Sequence, residues 1–571
     1  MACNFRLPVQ AAITQGVIAL LGGLIWGSLS LIADDREPQP SKESQEIAEL
    51  RTQLAVQQAQ IEQLRKELQE QRTWLQRSTS TVAAATSSPI DSSNLTLAST
   101  GRKTTPMTNS VEVATRSNTP PMAPQVLSGS EAESKTAPLS FSIGATKITP
   151  VGFMDFTAVF RSKNVGSGLG TSFGTIPFSN SVNGNLSEYR LSAQNSRLGA
   201  RLDSQVKGFQ VLGYVEADFL GFVPGNSAVT TNSNSLRLRL YWARLSKSKF
   251  EFLAGQSWSM LTPNRVGISP LPADLFLTQD IDPNIQVGMT WARSPQFRVV
   301  FHPKDSLSVG FSSEAAEQYA GGSAGSAAIT LPSALVPFYS GQLNTGSSGL
   351  GVPSPNQDLI GKIAFDHKAG GRPFHVEMAA ILRRFEFYNP LTLQSFKVAG
   401  GGGSLNLNVE LVKSLRLFSN NFYSDGGGRY IFGQGPDLII QADGSPSLIH
   451  AYSMVQGLEY QARPKTLFYA YYGGAYFQKN VAIDPETGGP VGYGYQGSPS
   501  EHNRALQQVT AGFSRTFWRD PAYGALQFMT QYSYIFRHPW HVAPAQPVEA
   551  NLNMLYLNLR YTLPGAPPSA R

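Results

Sequence analysis

From Lys147 to the end of the chain, apolar and polar side chains alternate with a period of two. In Phe209–Phe219, the residues Phe209, Val211, Gly213, Val215, Ala217 and Phe219 share one face. Gln210, Tyr214, Glu216 and Asp218 share the other. In Leu236–Trp242 the pattern places Leu236, Leu238, Leu240 and Trp242 opposite Arg237, Arg239 and Tyr241. In the last segment Leu555, Leu557, Leu559, Tyr561 and Leu563 face away from Tyr556, Asn558, Arg560 and Thr562. Strands of about ten residues, apolar on one face and polar on the other, are what a barrel with lipid outside and water inside requires. Backbone groups in lipid must all be paired, so such a sheet has to close on itself.

The connectors carry the same message. Short ones fall near Ser204–Gly208, Ser246–Lys249, Pro303–Ser306, Val412–Ser414, Ala462–Lys465 and Arg519–Tyr523. Long ones fall near Ser162–Leu186, Leu220–Ser235, Met260–Asn284, Ala315–Asp358, Ser424–Ser447 and Lys479–Asn503. Alternating short turns and long loops predict an all-β transmembrane barrel over 147–563, with about 16 antiparallel strands. At that size a barrel leaves an aqueous channel. The aromatic cluster Phe468, Tyr469, Tyr471, Tyr472, Tyr476 and Phe477 is expected to contribute to an interfacial girdle. A sandwich or propeller would also alternate, but no blade-length repeat is visible.

Upstream the period changes. Ile47, Leu50, Leu54, Gln57, Ile61, Leu64, Leu68, Gln71 and Leu75 are spaced three then four without a break. The a positions are Ile47, Leu54, Ile61, Leu68 and Leu75, with Leu50, Gln57, Leu64 and Gln71 at d. Residues 41–77 are therefore expected to form an α-helical coiled coil about 40 Å long. The oligomerising residues would be Ile47, Leu50, Leu54, Ile61, Leu64, Leu68 and Leu75; the seam alone does not set the number of chains. Residues 78–140, rich in Ser, Thr and Pro, read as a disordered linker. Residues 1–33 read as an export signal. Arg6 precedes an uncharged run from Leu7 to Ala33, which ends in Ser28-Leu29-Ser30, or Ala33, before Asp34. An uncleaved membrane anchor is the alternative. The coiled coil would then stand in the periplasm, and residues 564–571 would be a short tail.

Composition narrows the class. Only 15% of residues are charged while aromatics reach 10%, unlike an ordinary soluble enzyme. The net charge of +7 is spread along the chain and leaves no nucleic-acid footprint. The one cysteine, Cys3, precedes the apolar run and would leave with a cleaved signal, so neither a disulfide scaffold nor a thiolate metal site is expected. No catalytic motif, cofactor or metal is expected. His538 and His541 are expected in a loop without a carboxylate nearby in sequence, and the glycines of Gly400–Gly403 precede no helix.

The informative chemistry is basic. By alternation Arg190, Arg197, Arg201, Arg237, Arg239 and Arg560 face away from the apolar side of their strands. They are expected to line the pore and favour anions, balanced in part by Asp203, Glu216 and Asp218. The long connector Met260–Asn284 follows the fifth strand. It is expected to fold inward as a constriction loop carrying Arg265, Asp274, Asp280 and Asp282.

These features together resemble the DcaP-like trimeric outer-membrane porins. Local matches are Ser196-Arg197-Leu198-Gly199-Ala200-Arg201, Gly255-Gln256-Ser257-Trp258-Ser259 and Gly428-Arg429-Tyr430. The resemblance implies a homotrimer in outer-membrane lipid that passes small anionic solutes such as dicarboxylates, with Arg197, Arg201, Arg237 and Arg239 at the constriction. The chain departs from porin habit in ending beyond Leu563 with a tail and no terminal aromatic residue. Two other readings remain: a phosphate-selective porin, and an envelope tether in which the coiled coil binds peptidoglycan.

Overall fold

The computed structural model describes residues 139–564 apart from 224–228, 230, 271–285, 323–325, 347–351 and 355. The signal over 1–33, the coiled coil over 41–77 with its seam, nearly all of the linker and the tail beyond 564 lie outside the described residues. So do Asp274, Asp280 and Asp282.

The barrel strands in chain order are β1 (Thr146–Arg161), β2 (in two pieces, Glu188–Ser192 and Arg197–Val206), β3 (Phe209–Asp218) and β4 (Arg237–Lys247). They continue with β5 (Phe250–Trp258), β6 (Arg293–Lys304), β7 (Leu307–Glu314) and β8 (Asp358–Ala369). Next come β9 (Arg372–Asn389), β10 (Gln394–Val412), β11 (Leu415–Asp425) and β12 (His450–Arg463). The last are β13 (Thr466–Phe477), β14 (Asn503–Asp520), β15 (Gly524–Pro539) and β16 (Ala550–Thr562). Each pairs antiparallel with the next, and β16 returns to β1 with Leu559 opposite Phe156. This is a closed 16-strand antiparallel barrel.

Closure follows from the sequence pattern. Met154, Phe156, Phe160, Leu555, Leu557 and Leu559 are exposed on the outside, while Asp155, Thr157, Tyr556, Asn558 and Arg560 are buried within. An outer wall of this kind is stable only in lipid. Two aromatic rows bound it on one side of the barrel. Tyr423, Tyr452 and Tyr476 are register partners across β11–β13, and Tyr460, Phe468 and Phe513 across β12–β14. From Tyr452 to Tyr460 the strand rises about 26 Å, which at a tilt of about 40° gives roughly 20 Å of height. Polar side chains on this outer wall satisfy one another. Gln456 Nε2 donates to Asn421 Oδ1 at 3.2 Å, and Tyr472 Oη to Gln507 Oε1 at 3.1 Å.

Tight turns such as Lys207-Gly208, Ser248-Lys249 and Lys413-Ser414 close one rim, and the long connectors rise from the other. A further short turn, Gly370-Gly371, and a short outer loop, Pro390–Leu393, separate β8 from β9 and β9 from β10. They escape a reading that looks for long loops at regular intervals.

Two expectations about faces are corrected. The apolar face assigned to Leu236–Trp242 breaks in the middle. The β3–β4 pairing steps from Glu216 opposite Leu240 to Ala217 opposite Leu238, so Arg239 is the extra residue of a β-bulge. A bulge reverses the alternation beyond it. Leu238 is outside at 49% exposure, whereas Leu240 and Trp242 turn inward at 1% and 5%, and Tyr241 takes the outer face. The aromatic run on β13 is likewise split by its own period. Phe468 and Tyr476 are exposed on the outer face, which they share with Tyr472, while Tyr469, Tyr471 and Phe477 are buried inside.

Candidate functional site

The inner wall from β16 to β4 carries the basic set. A break in β2 organises it. Both pieces of β2 pair with β1, and at the gap between them Asp155 N donates to Ser196 Oγ at 2.9 Å. The second piece then starts at Arg197. Register places Phe153, Arg197, Asp218 and Arg237 side by side across β1–β4.

Arg237 binds Asp218 through Nε and Nη2 at 3.0 and 2.8 Å. The bulge aims Arg239 at the same acids, 2.8 Å from Glu216 and 2.6 Å from Asp218. Arg197 lies 3.9 Å from Glu216. The guanidinium groups of Arg197 and Arg560 sit 5.1 and 3.8 Å from the centroid of the Phe153 ring, and Arg560 also pairs with Asp155 at 2.7 Å. Cations over an aromatic face gain attraction without a countercharge, so Phe153 helps hold like charges together.

Arg201 stands apart from this group, paired to Asp203 at 2.7 Å on the same strand. Arg190 is farther still. It lies on the first piece of β2 near the long-loop rim, 44% exposed and bound to Glu188. The predicted ladder is therefore a compact cluster of Arg197, Arg237, Arg239 and Arg560, flanked by two outlying pairs.

The motif around Gly255 serves this cluster. Gly255 has φ +131°, and a Cβ there would meet the Tyr241 carbonyl oxygen at 2.3 Å, so only glycine lets β5 approach β4 this closely. Beyond it, Trp258 packs on Trp291, and the guanidinium carbons of Arg239 and Arg293 lie 5.8 and 5.1 Å from its ring centroid. Ser257 Oγ donates to Pro270 O at 2.7 Å and ties the strand to the loop that follows.

The described limbs of the loop that follows, loop 3 (residues 259–292), lie inside the barrel. Leu261, Thr262, Asn264, Arg265, Ile268, Val287 and Met289 are all buried. Its two described limbs grip the wall from β8 to β14. Lys362 Nζ donates to Thr262 O at 2.9 Å and to Asn264 Oδ1 at 3.0 Å. Arg265 forms a two-point bond to Glu459 on β12, at 3.1 and 2.8 Å, with its guanidinium 4.2 Å from the Phe418 ring centroid. Val287 N donates to Gln508 Oε1 at 2.8 Å, and Thr510 Oγ1 to Gln286 Oε1 at 3.1 Å. Arg265 is thus a tether buried against the far wall and not a charge facing the channel.

Water access divides accordingly. Under loop 3 the inward residues Ser308, Ser312, Glu314, Ile360, Lys362, Ala364, His375 and Glu377 are buried. On the opposite wall Arg197, Arg201 and Asp203 keep 19%, 31% and 36% of their side-chain surface. Sequence reasoning missed the buried ionic pairs that hold the loops, namely Lys362–Glu377 at 2.8 Å and Arg383–Asp358 at 3.1 Å. Their signal was present, since these residues occupy the polar phase of β8 and β9. Nothing in that phase distinguishes a solvated lumenal charge from one covered by a loop. The Gly428-Arg429-Tyr430 motif acts in the same way. Tyr430, fully buried, donates to Asp358 at 2.8 Å and accepts Trp291 N at its carbonyl. His538 lies on β15 and not in a loop, and the fold brings Glu549, distant in sequence, to 3.8 Å from it. Among the described residues no group of His, Cys, Asp and Glu is arranged to hold a metal ion.

A closed sixteen-strand barrel, apolar outside and charged inside, narrowed by an inward third loop, is the architecture of a porin. No protein-family model and no curated protein sequence matches the chain. Among solved structures it resembles the outer membrane channel DcaP of Acinetobacter baumannii, with a TM-score of 0.52 at 17% identity over 74% of this chain and 99% of that one. It also matches the anion-selective porin from Comamonas acidovorans, with a TM-score of 0.41 at 12% identity over 73% and 100%. The fold resemblance to the DcaP channel stated from the sequence is therefore met in the structure; at this identity the likeness is one of fold.

Proposed function

We propose that this protein is an outer-membrane porin, a passive diffusion channel that favours small organic anions such as dicarboxylates. The observation carrying this reading is the asymmetry of the inner wall. Loop 3 covers the β8–β14 side, and the opposite wall presents Arg197, Arg201 and Arg237 to water, backed by buried Arg239 and Arg560, against Asp155, Asp203, Glu216 and Asp218. Guanidinium groups outnumber carboxylates there, and a basic lining lowers the electrostatic cost for an anion entering a narrow, low-dielectric passage. Mixed pairing also sets a transverse field, which suits solutes carrying both charge and dipole better than bare phosphate.

The heptad seam and the resemblance support a homotrimer whose coiled coil stands in the periplasm, with peptidoglycan as the partner that a tether role would add. Reversal potentials in planar bilayers under a salt gradient test the channel. Anion preference that falls in R197Q/R201Q is the expected result. Absence of an ion-permeable pore, or cation preference in the wild type, would sink it. Deleting residues 41–77 tests the rest: loss of trimers on a cross-linked gel is expected, and unchanged envelope attachment would count against tethering.

A further inference from the structure

The first limb of loop 3 is held by a chain of ionisable groups. His375 on β9 lies between two carboxylates. Its Nδ1 is 2.8 Å from Asp366 Oδ1 and its Nε2 is 3.3 Å from Glu377 Oε2. The opposite oxygens of the same carboxylates hold the loop backbone. Gly267 N donates to Asp366 Oδ2 at 2.9 Å, and Asn264 N to Glu377 Oε1 at 3.1 Å. Glu377 Oε1 also accepts from Lys362 Nζ and Asn406 Nδ2, each at 2.8 Å.

A neutral imidazole has one N–H and one lone pair, so it can donate to only one of two carboxylates. With an acceptor oxygen at both ring nitrogens, this geometry calls for the imidazolium, which donates at both ends. We propose that protonated His375 is a positioning residue for the constriction loop, so that the effective bore of the channel depends on its charge. The proposal rests on the porin reading above for its conductance test, but not for its structural one.

Every charged group facing the imidazole from the packed elements belongs to the same chain of contacts. Lys362 and Asp366 come from β8 and Glu377 from β9. The register partner on β10, Asn408, is neutral and donates through Nδ2 to Arg265 O of the loop. Arg265 is committed to Glu459. While His375 carries its proton, both carboxylates are oriented toward the loop amides. As pH rises and the proton leaves, one nitrogen presents a lone pair to a carboxylate oxygen. That carboxylate turns away, and the Asn264–Gly267 segment loses a hydrogen bond. The sign is fixed: the clamp is present at lower pH and lost above the titration of His375.

Single-channel conductance of the full-length protein, recorded in potassium chloride from mildly acidic to alkaline pH, reads this directly. Wild type is expected to step to a larger, noisier conductance as pH rises. H375Q, which cannot bridge two carboxylates, is expected to be in that larger state at every pH. D366N, which changes a partly exposed partner, offers an amide N–H to the neutral ring and keeps an oxygen for Gly267 N. Should H375Q fail to reach the folded form on a heat-modifiability gel, D366N is expected to hold the smaller conductance at every pH, and a step like that of wild type would overturn the clamp. A wild-type conductance flat across the range, or an H375Q profile that steps like wild type, would overturn the clamp. Amide hydrogen exchange at Asn264 and Gly267 separates this failure from failure of the porin reading. With no pore at all, slow exchange in wild type and fast exchange in H375Q would still support the clamp, and equal exchange would refute it.

Discussion

Gly288 gives the most direct test of whether the second limb of loop 3 is seated on the barrel wall. It sits in loop 3 at φ +84°, and a Cβ built there lies 2.3 Å from Gly474 O and 2.4 Å from Met454 O. Both obstacles are backbone of adjacent strands, β12 and β13, locked in the ladder, so neither can move aside cheaply. An alanine at positive φ costs about 1–2 kcal/mol, and forcing a methyl into packed surroundings costs about 1–3 kcal/mol more. G288A should therefore penalise the seated loop by about 2–5 kcal/mol. The barrel ladder itself is untouched, so the variant should still fold. The limb from Gln286 to Met289 should lift from β13 and β14, giving up the Val287–Gln508 bond. Conductance should rise, and limited proteolysis should cut loop 3 at a rate the wild type does not show. Gly341 supplies the control, since a Cβ there meets nothing within 4 Å. If G288A conducts and resists protease as G341A does, the limb is not seated as described.

Other outcomes follow from the same contacts. R265A leaves Glu459 buried with Tyr471 Oη, at 2.6 Å, as its remaining described donor. Breaking a buried pair costs about 3–5 kcal/mol, which a lower heat-modifiability midpoint on a gel should show, and an unchanged midpoint would contradict. E216Q removes a carboxylate that faces Arg197 and Arg239. About 1 kcal/mol of added attraction for an anion would raise the anion-to-cation permeability ratio about fivefold, and a fall in that ratio would overturn the assignment of this wall to the conduction path.

His502, in the loop between β13 and β14, accepts Gly494 N at Nδ1 and faces Ala328 O with Nε2, so the neutral ring is the one that fits. Burial pushes its pKa below the ordinary 6.5. A base depressed in the folded state contributes stability above its unfolded pKa and loses it as pH falls. Protease sensitivity of the 327–330 and 490–502 segments should thus rise as pH drops through about 6.5 and below. An H502F variant should blunt that rise, and sensitivity that does not change with pH would refute the assignment.

The period-two alternation determined the barrel, its approximate strand number and the inward phase of β3 and β16, because lipid favours an apolar outer wall and admits no open sheet edge. It also placed Arg197, Arg201, Arg237 and Arg239 on the lumenal side. It could not register Arg239 as a bulge. One extra residue leaves no mark in composition, yet it turns Leu240 and Trp242 inward and aims Arg239 at Glu216 and Asp218. Nor could alternation tell Arg201, which keeps contact with water, from Lys362 or Arg383, which do not. All three are charged residues on the polar phase of a strand. What separates them is which part of the wall loop 3 and its neighbours cover, and that is a contact between segments far apart in the chain. The same limit applies to Arg265, read from the sequence as a charge on the constriction and found as a tether to Glu459. Away from a bulge, local pattern decides which way a side chain points; only the folded chain decides where the bulges fall and what each side chain meets.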